Sequence, residues 1–439
     1  MLNGSLNPFS CLWSDASSAT SLTRALPAKA RCVVIGAGYT GLSSALELSR
    51  RAGATAGEGI VVIDAMAVGE GASGRNGGQV IPGLKLNPEQ LVQRFGDKRG
   101  PALVEAVGGA AGHVFELIKR LNIDCEARQD GWLQAAHNGA SLFDLEQRAA
   151  QWRGLGADVR ILDGAQTAAA LGTSIYQGAL LDLRAGQLNP YRYAQGLAAA
   201  ARAQGVDIFE CTPALELKRR NGRWVVVTDK GEIEAGQVVI ATNAYSSPLL
   251  RALPHTYVTL WSLQAATAPL SRDLDPQILP GGLPVSDTFR VLRYFRRSAD
   301  GRFILGTRGA FRDQLGPVDL ARVRQEMLHI YPALEAVPLT HCWTGRVAVP
   351  AASIPLLSQP EPGLTVALGY YGRGVAMATR MGSFVADLVQ GVPASEIVYP
   401  VTPFKAMPVA PLHRTVAQIT ANVMRVRDLI ERRARGGRS

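Results

Sequence analysis

"RCVVIGAGYTGLSSALELSRRAG", residues 31–53, reads as a short apolar strand, a glycine turn and a helix, and that order decides the fold. Residues 31–35 form the apolar run, and from Tyr39 onward apolar side chains recur at helical spacing. Gly36, Gly38 and Gly41 occupy the turn. The first permits a tight turn, the second lets backbone approach a pyrophosphate, and the third lets helix and strand pack closely. The phosphates then face the helix N-terminus. "GIVVIDA", residues 59–65, is a second buried-type strand, and Asp64 near its end lies 23 residues after Gly41, where an acid accepts hydrogen bonds from a ribose. This βαβ opening predicts dinucleotide binding by Gly36, Gly38, Tyr39, Thr40, Gly41, Asp64 and Ala65.

The rest of the chain sets the limits. With 439 residues it is long enough for two or three domains and a buried cofactor. Hydrophobic residues make up 47% and charged residues 19%, the balance of a globular enzyme, and no run approaches the ~20 apolar residues of a transmembrane segment. The first twenty residues lack the basic and apolar regions of an export signal, so a cytoplasmic location is expected. A net charge of +10 rests on 39 arginines and seven lysines. They are dispersed except in "MRVRDLIERRARGGRS", residues 424–439, so no nucleic-acid partner is expected. Cys11, Cys32, Cys125, Cys211 and Cys342 show no paired spacing and read as reduced thiols, with no metal site. No GxSxG, HExxH or Walker lysine is present, which leaves hydrolase and nucleotide-triphosphatase chemistry without residues to carry it.

A second glycine-rich stretch, "GEGASGRNGGQV" at residues 69–80, holds five glycines in twelve positions. Taken in order, "GAGYTGLSSALEL", "GASGRNGGQV", "VVIATNAYSS" and "GYYGRGVAMATRMG" resemble the FAD-dependent glycine/D-amino-acid oxidase superfamily. "GASGRNGGQ" with "ATNAY" is most similar to the branch containing gamma-glutamylputrescine oxidase. The resemblance implies FAD as cofactor. It places Ala72, Ser73, Arg75, Asn76, Gly77, Gly78 and Gln79 beneath the isoalloxazine ring. Ala214 and Leu215 would meet the adenine, and Ala241, Thr242 and Asn243 would close the nucleotide pocket. Gly372, Arg373, Gly374, Val375 and Ala376 would stand at a helix start nearest the ring, where free amides stabilise negative charge.

The implied fold is α/β, a Rossmann-type FAD-binding domain interleaved with an α+β substrate domain built on an antiparallel sheet. The texture assigns residues 1–28 to an arm and residues 29–84, 180–245 and 340–400 to the FAD domain. Residues 85–179 and 246–339 go to the substrate domain, and 401–439 to a C-terminal helical tail. "LELKRRNGRWVVVTDKGEIEAGQVVIAT" reads as a meander with a turn at Asn221-Gly222.

The substrate is read partly from what is missing. Amino-acid oxidases of the superfamily hold a substrate carboxylate with an arginine where "CWTGRVAVPAASIP" has Val347, and some keep another where this chain has Gly372. Arg346 lies one place earlier, on the opposite face of a strand unless a bulge intervenes. The resemblance therefore implies a small-molecule amine, gamma-glutamylputrescine-like, oxidised at its C–N bond by hydride transfer to flavin N5. A cyclic, N-methylated or D-amino acid is the alternative, and a tRNA-associated or non-catalytic flavoprotein the remaining one. The electron acceptor is oxygen or another molecule. Related sarcosine oxidases place a lysine over the flavin, but none lies between Lys230 and Lys405, which turns attention to His255, His341 and Arg308. Candidates for the substrate pocket are Arg346, Arg373, His255, Trp343 and Tyr371, with Trp261, Tyr294 and Tyr370 as further aromatic walls.

Overall fold

Strand Lys29–Ile35 buries four consecutive residues at its end, because both faces of the sheet it centres are covered. The structure, a computed structural model, describes residues 9–14, 24–52, 59–246, 249–309 and 311–404. Strands Leu364–Leu368, Gly231–Ile240, Lys29–Ile35, Ile60–Ile63 and Asp207–Phe209 run parallel in that spatial order. Leu356–Glu361 adds an antiparallel edge. Helices Tyr39–Ala52 and Gly374–Val389 pack on one another above this sheet. They approach so closely that a Cβ at Gly382 would lie 2.6 Å from the backbone carbon of Ser43. The expected meander is present as Ala214–Arg220, Arg223–Thr228 and Gly231–Ile240. Its first turn puts Asn221 and Gly222 at φ 51° and 79°, the conformation that an Asn-Gly pair adopts most readily.

A second eight-stranded sheet runs Leu339–Pro350, Tyr257–Pro269, Arg302–Arg308, Tyr294–Arg297, Val285–Asp287, Trp132–Ala136, Gly178–Asp182, Val159–Leu162. All its pairings are antiparallel except that of Val285–Asp287 with Trp132–Ala136. Phe295, Phe303 and Tyr331 form its aromatic core under helix Pro317–Ile330. Two stretches differ in sheet membership from the sequence boundaries: residues 340–350 and 180–182 belong to this second sheet. An apolar alternating run identifies a strand but not its partner, and Leu339–Pro350 finds its partner in Tyr257–Pro269.

Helix Pro88–Gly108 breaks at Gly96, whose φ of 76° is left-handed, and it is followed by Ala110–Arg120. Leu103, Val107, Val114 and Leu117 bury the apolar face of this bent pair in the core. Among the described residues no single helix is long and apolar enough to cross a membrane. The arm contributes a docked turn, Leu12–Ser14. The tail expected to be helical lies outside the described residues from 405 onward.

Candidate active site

One cavity of about 690 Å³ opens between the two sheets, from the first glycine turn to the wall formed by Trp132 and Tyr294. At its nucleotide end, Gly36 has φ +114°, and a Cβ there would sit 2.8 Å from the Ala241 carbonyl oxygen. A Cβ on Gly41 would come within 1.8 Å of the Gly36 carbonyl oxygen, so the third glycine is a packing requirement. A Cβ on Gly38 would lie 2.8 Å from Ser73 Oγ, which accepts the Tyr39 amide at 3.0 Å and so ties the two glycine stretches together. The Asp64 carboxylate accepts the Ala37 amide at 2.6 Å and the Met66 amide at 2.9 Å. Burial raises its pKa, and each oxygen keeps a lone pair for a ribose hydroxyl. Bare backbone, a helix N-terminus and an acid at the second strand fit a dinucleotide.

The second glycine stretch lines the middle of the cavity and is held from behind. Residues Ala72–Arg75 form one short helical turn. Asn76 spends its side chain on the loop itself, donating Nδ2–H to the carbonyls of Ser73 (2.7 Å) and Ala72 (3.1 Å) and accepting the Gly78 amide at 2.8 Å. Trp13 and Trp343 donate their indole N–H groups to the carbonyls of Asn76 and Arg75, each at 2.9 Å. Gln264 also donates to the Arg75 carbonyl. Gln79 bridges to the second sheet, donating to the Val285 carbonyl at 2.8 Å and accepting from Ser286 Oγ at 2.9 Å.

Facing this loop, the Tyr294 ring lies where a Cβ on Gly77 would meet it at 2.9 Å, and the phenol pairs with Ser262 Oγ at 2.6 Å. Lysine does reach the site, from just beyond the second glycine stretch. Lys85 lines the cavity with its Nζ 5.6 Å from the Tyr371 ring centre. Burial, then Arg373 and Arg148, push its pKa down to about 7. Arg148, Trp132, Gln134 and Ser286 are further lining residues that sequence reasoning missed. Among the described residues the cavity wall carries seven cationic residues, Arg75, Lys85, Arg148, Arg290, Arg308, Arg346 and Arg373, but only two acids, Asp64 and Asp287. Asp64 is engaged as described. Asp287 is buried and accepts Arg293 Nε at 2.6 Å.

Most residues expected at the cofactor meet here: Gly36, Gly38, Tyr39, Thr40, Asp64, Ala65, Ala72, Ser73, Arg75, Asn76, Gly77, Gln79, Ala214, Ala241, Thr242, Asn243 and Gly372–Val375 all line the cavity. Gly41, Gly78 and Ala376 are not among the residues that line it. Leu215 does not join them; it is 58% exposed, because strand Ala214–Arg220 lies at the outer edge of the meander and is open to solvent along most of its length. His255 is exposed on a short 3-10 turn away from the cavity. His341 is buried beside Thr340 and does not line the cavity. Trp343 is buried behind the second glycine stretch. Arg346 reaches the rim but is committed to Asp313, with contacts of 2.9 and 2.5 Å. The strand runs in regular register through it, without a bulge. Arg373 turns its guanidinium towards Trp132, 5.1 Å from the ring centre.

This arrangement is that of a flavin-dependent oxidoreductase, and comparison with known proteins agrees. The family model described as FAD dependent oxidoreductase matches residues 31–388, and the chain belongs to that family. It is 33% identical to the probable oxidoreductase OrdL of Rhizobium meliloti over 366 residues, 83% of each chain. It is 31% identical to the gamma-glutamylputrescine oxidoreductase of Escherichia coli over 361 residues, 82% of this chain and 83% of that one. The fold superposes on the crystal structure of glycine oxidase from Geobacillus kaustophilus with a TM-score of 0.71 and 20% identity, over 87% of this chain and 99% of that one. The chain is thus an FAD-dependent oxidoreductase.

Proposed function

We propose that this enzyme oxidises the C–N bond of an amine of the gamma-glutamylputrescine type. When bound, FAD supplies a hydride acceptor at flavin N5; the substrate carbon gives up the hydride, and water then splits the imine into a carbonyl compound and an amine or ammonia. The observation that carries this reading is the charge of the cavity wall: among the described residues seven cationic side chains line it, of which Arg346 is paired with Asp313, and its two acids, Asp64 and Asp287, are already engaged. Such a wall disfavours an ammonium ion and favours its free base. A nitrogen lone pair is what allows the neighbouring C–H to leave as hydride.

The residues then have the tasks of binding, orientation and exclusion of water. Trp132 and Tyr294 supply flat walls, and the Ser262–Tyr294 pair offers hydroxyls beside the glycine loop. No side chain is required as a general base. Similarity to the gamma-glutamylputrescine oxidoreductase supports the amine class. Incubating the purified enzyme with gamma-glutamylputrescine, putrescine, N-methyl amino acids and α-amino acids, and assaying aldehyde and ammonia, tests the reading. Equal release of both from the first compound is expected; turnover confined to α-amino acids would contradict it.

A further inference from the structure

Three cations meet at one corner of the cavity, away from the strand where a carboxylate-binding arginine was sought. Lys85 comes from the loop after strand Gln79–Val80, Arg148 from helix Gly139–Gly154, and Arg373 from the N-cap of helix Gly374–Val389. Gly372 brings the turn beside Lys85: its φ is +79°, and a Cβ there would lie 4.0 Å from Lys85 Cε, in ordinary contact.

Their hydrogen bonding is incomplete in a particular way. Arg148 donates only to neutral acceptors, Asn87 Oδ1 at 2.7 Å, Gln134 Oε1 at 2.9 Å and the Lys85 carbonyl at 3.5 Å. Arg373 is 6% exposed, yet its Nε and Nη1 have no partner. Asp182, the acid that acts on Arg373, is already bound to Arg184 at 2.7 Å, and Asp144, the acid that acts on Arg148, makes no ion pair with it. Among the described residues none of the three is ion-paired. Like charges gathered out of water, with unpaired N–H groups, are costly unless an anion completes them. Burial first, and neighbouring arginines after it, push Lys85 down to about 7 and Arg373 to about 9.

We propose that Lys85, Arg148 and Arg373 form an anion subsite for a carboxylate of the substrate, so that the substrate is an amine carrying its own acid group. This rests on the C–N oxidation proposed above and narrows it. The carboxylate neutralises the corner and anchors the molecule, while the free amine is left for the region beside the glycine loop and Tyr294. Charge-assisted bonds to ammonium and guanidinium groups in a desolvated corner are the strong kind.

The test uses the FAD-loaded enzyme. Titration with glutarate and with glutaramide, followed by the shift of the flavin absorption band, reads the subsite without any turnover. Kinetics with gamma-glutamylputrescine and its carboxamide read it during turnover. Glutarate should bind and glutaramide should not. Lys85→Met and Arg373→Met should each weaken glutarate binding about tenfold or more. They should raise KM for the acid substrate by a larger factor than for its carboxamide, and Lys85→Arg should restore binding. Equal binding of glutarate and glutaramide, or parallel losses with acid and amide, would overturn the proposal and assign these cations to the cofactor or the fold. Should no amine reduce the flavin while glutarate still binds in a Lys85-dependent way, the reaction assignment fails and the subsite stands.

Discussion

The indole N–H of Trp13 is bonded at 2.9 Å to the carbonyl of Asn76, a residue of the loop that lines the cavity. Trp343 makes the matching bond to Arg75, and the two indoles meet edge to face with centres 6.1 Å apart. Arg296 stacks on the outer Trp13 ring at 4.8 Å. A turn some sixty residues upstream thus holds the loop from behind. Trp13→Phe should cost about 1 kcal/mol through the lost hydrogen bond. Trp13→Ala should cost about 3 kcal/mol or more through the cavity it leaves. Flavin release, followed by the rise in free flavin fluorescence, should quicken in that order; identical release from all three proteins would show that the turn does not support the loop.

Gly41 permits no substitution that adds a Cβ, since the added atom would lie 1.8 Å from the Gly36 carbonyl oxygen. Gly41→Ala has to push the helix off the turn that cradles the dinucleotide. The purified variant should contain little flavin and melt several degrees lower. A yellow variant with an unchanged melting temperature would contradict the packing role of this glycine.

Arg346, one of the two arginines the sequence offers for the substrate pocket, should matter little. Its side chain is 36% exposed and paired with Asp313, itself 51% exposed, so the pair contributes at most about 1 kcal/mol to stability. Arg346→Met should leave kcat within a factor of about two and raise KM only slightly. A loss of a hundredfold or more in kcat/KM would mean that the salt bridge opens to receive the substrate.

Anion binding should depend on pH through Lys85, which faces Arg373, Arg148 and the Tyr371 ring. With its pKa near 7, the lysine is cationic below that value and neutral above it. The inhibition constant of an amine-free carboxylate such as glutarate should therefore be lowest below pH 7 and rise as pH increases through it. It should level off where the two arginines alone remain charged. Lys85→Met should give the high value throughout. A flat profile in the unaltered enzyme would remove Lys85 from the anion subsite.

What the sequence revealed was mostly backbone. Gly36, Gly38 and Gly41 announce themselves because only glycine satisfies the approaches they make, and Asn221-Gly222 announces a hairpin for the same reason. Side-chain partners were harder to read. Leu339–Pro350 was legible as a strand, but the sheet it joins depends on its pairing with Tyr257–Pro269, which no local pattern encodes. Leu215 follows Ala214 in sequence yet is exposed, because its strand lies at the outer edge of the sheet. Lys85 lies 287 positions from Gly372 and is brought beside it only by tertiary folding, so a search for a lysine near the later motifs passed over it. The one local hint was its place just beyond the second glycine stretch.

Anaerobic reduction of the bound flavin, followed as loss of its visible absorption, tests the central claim most directly. Mixed with gamma-glutamylputrescine, the yellow enzyme should bleach at a rate that rises with pH as the substrate amine loses its proton, and aldehyde should form in proportion to the flavin reduced. Failure of any amine to bleach a fully loaded enzyme, or bleaching by α-amino acids alone, would contradict the account.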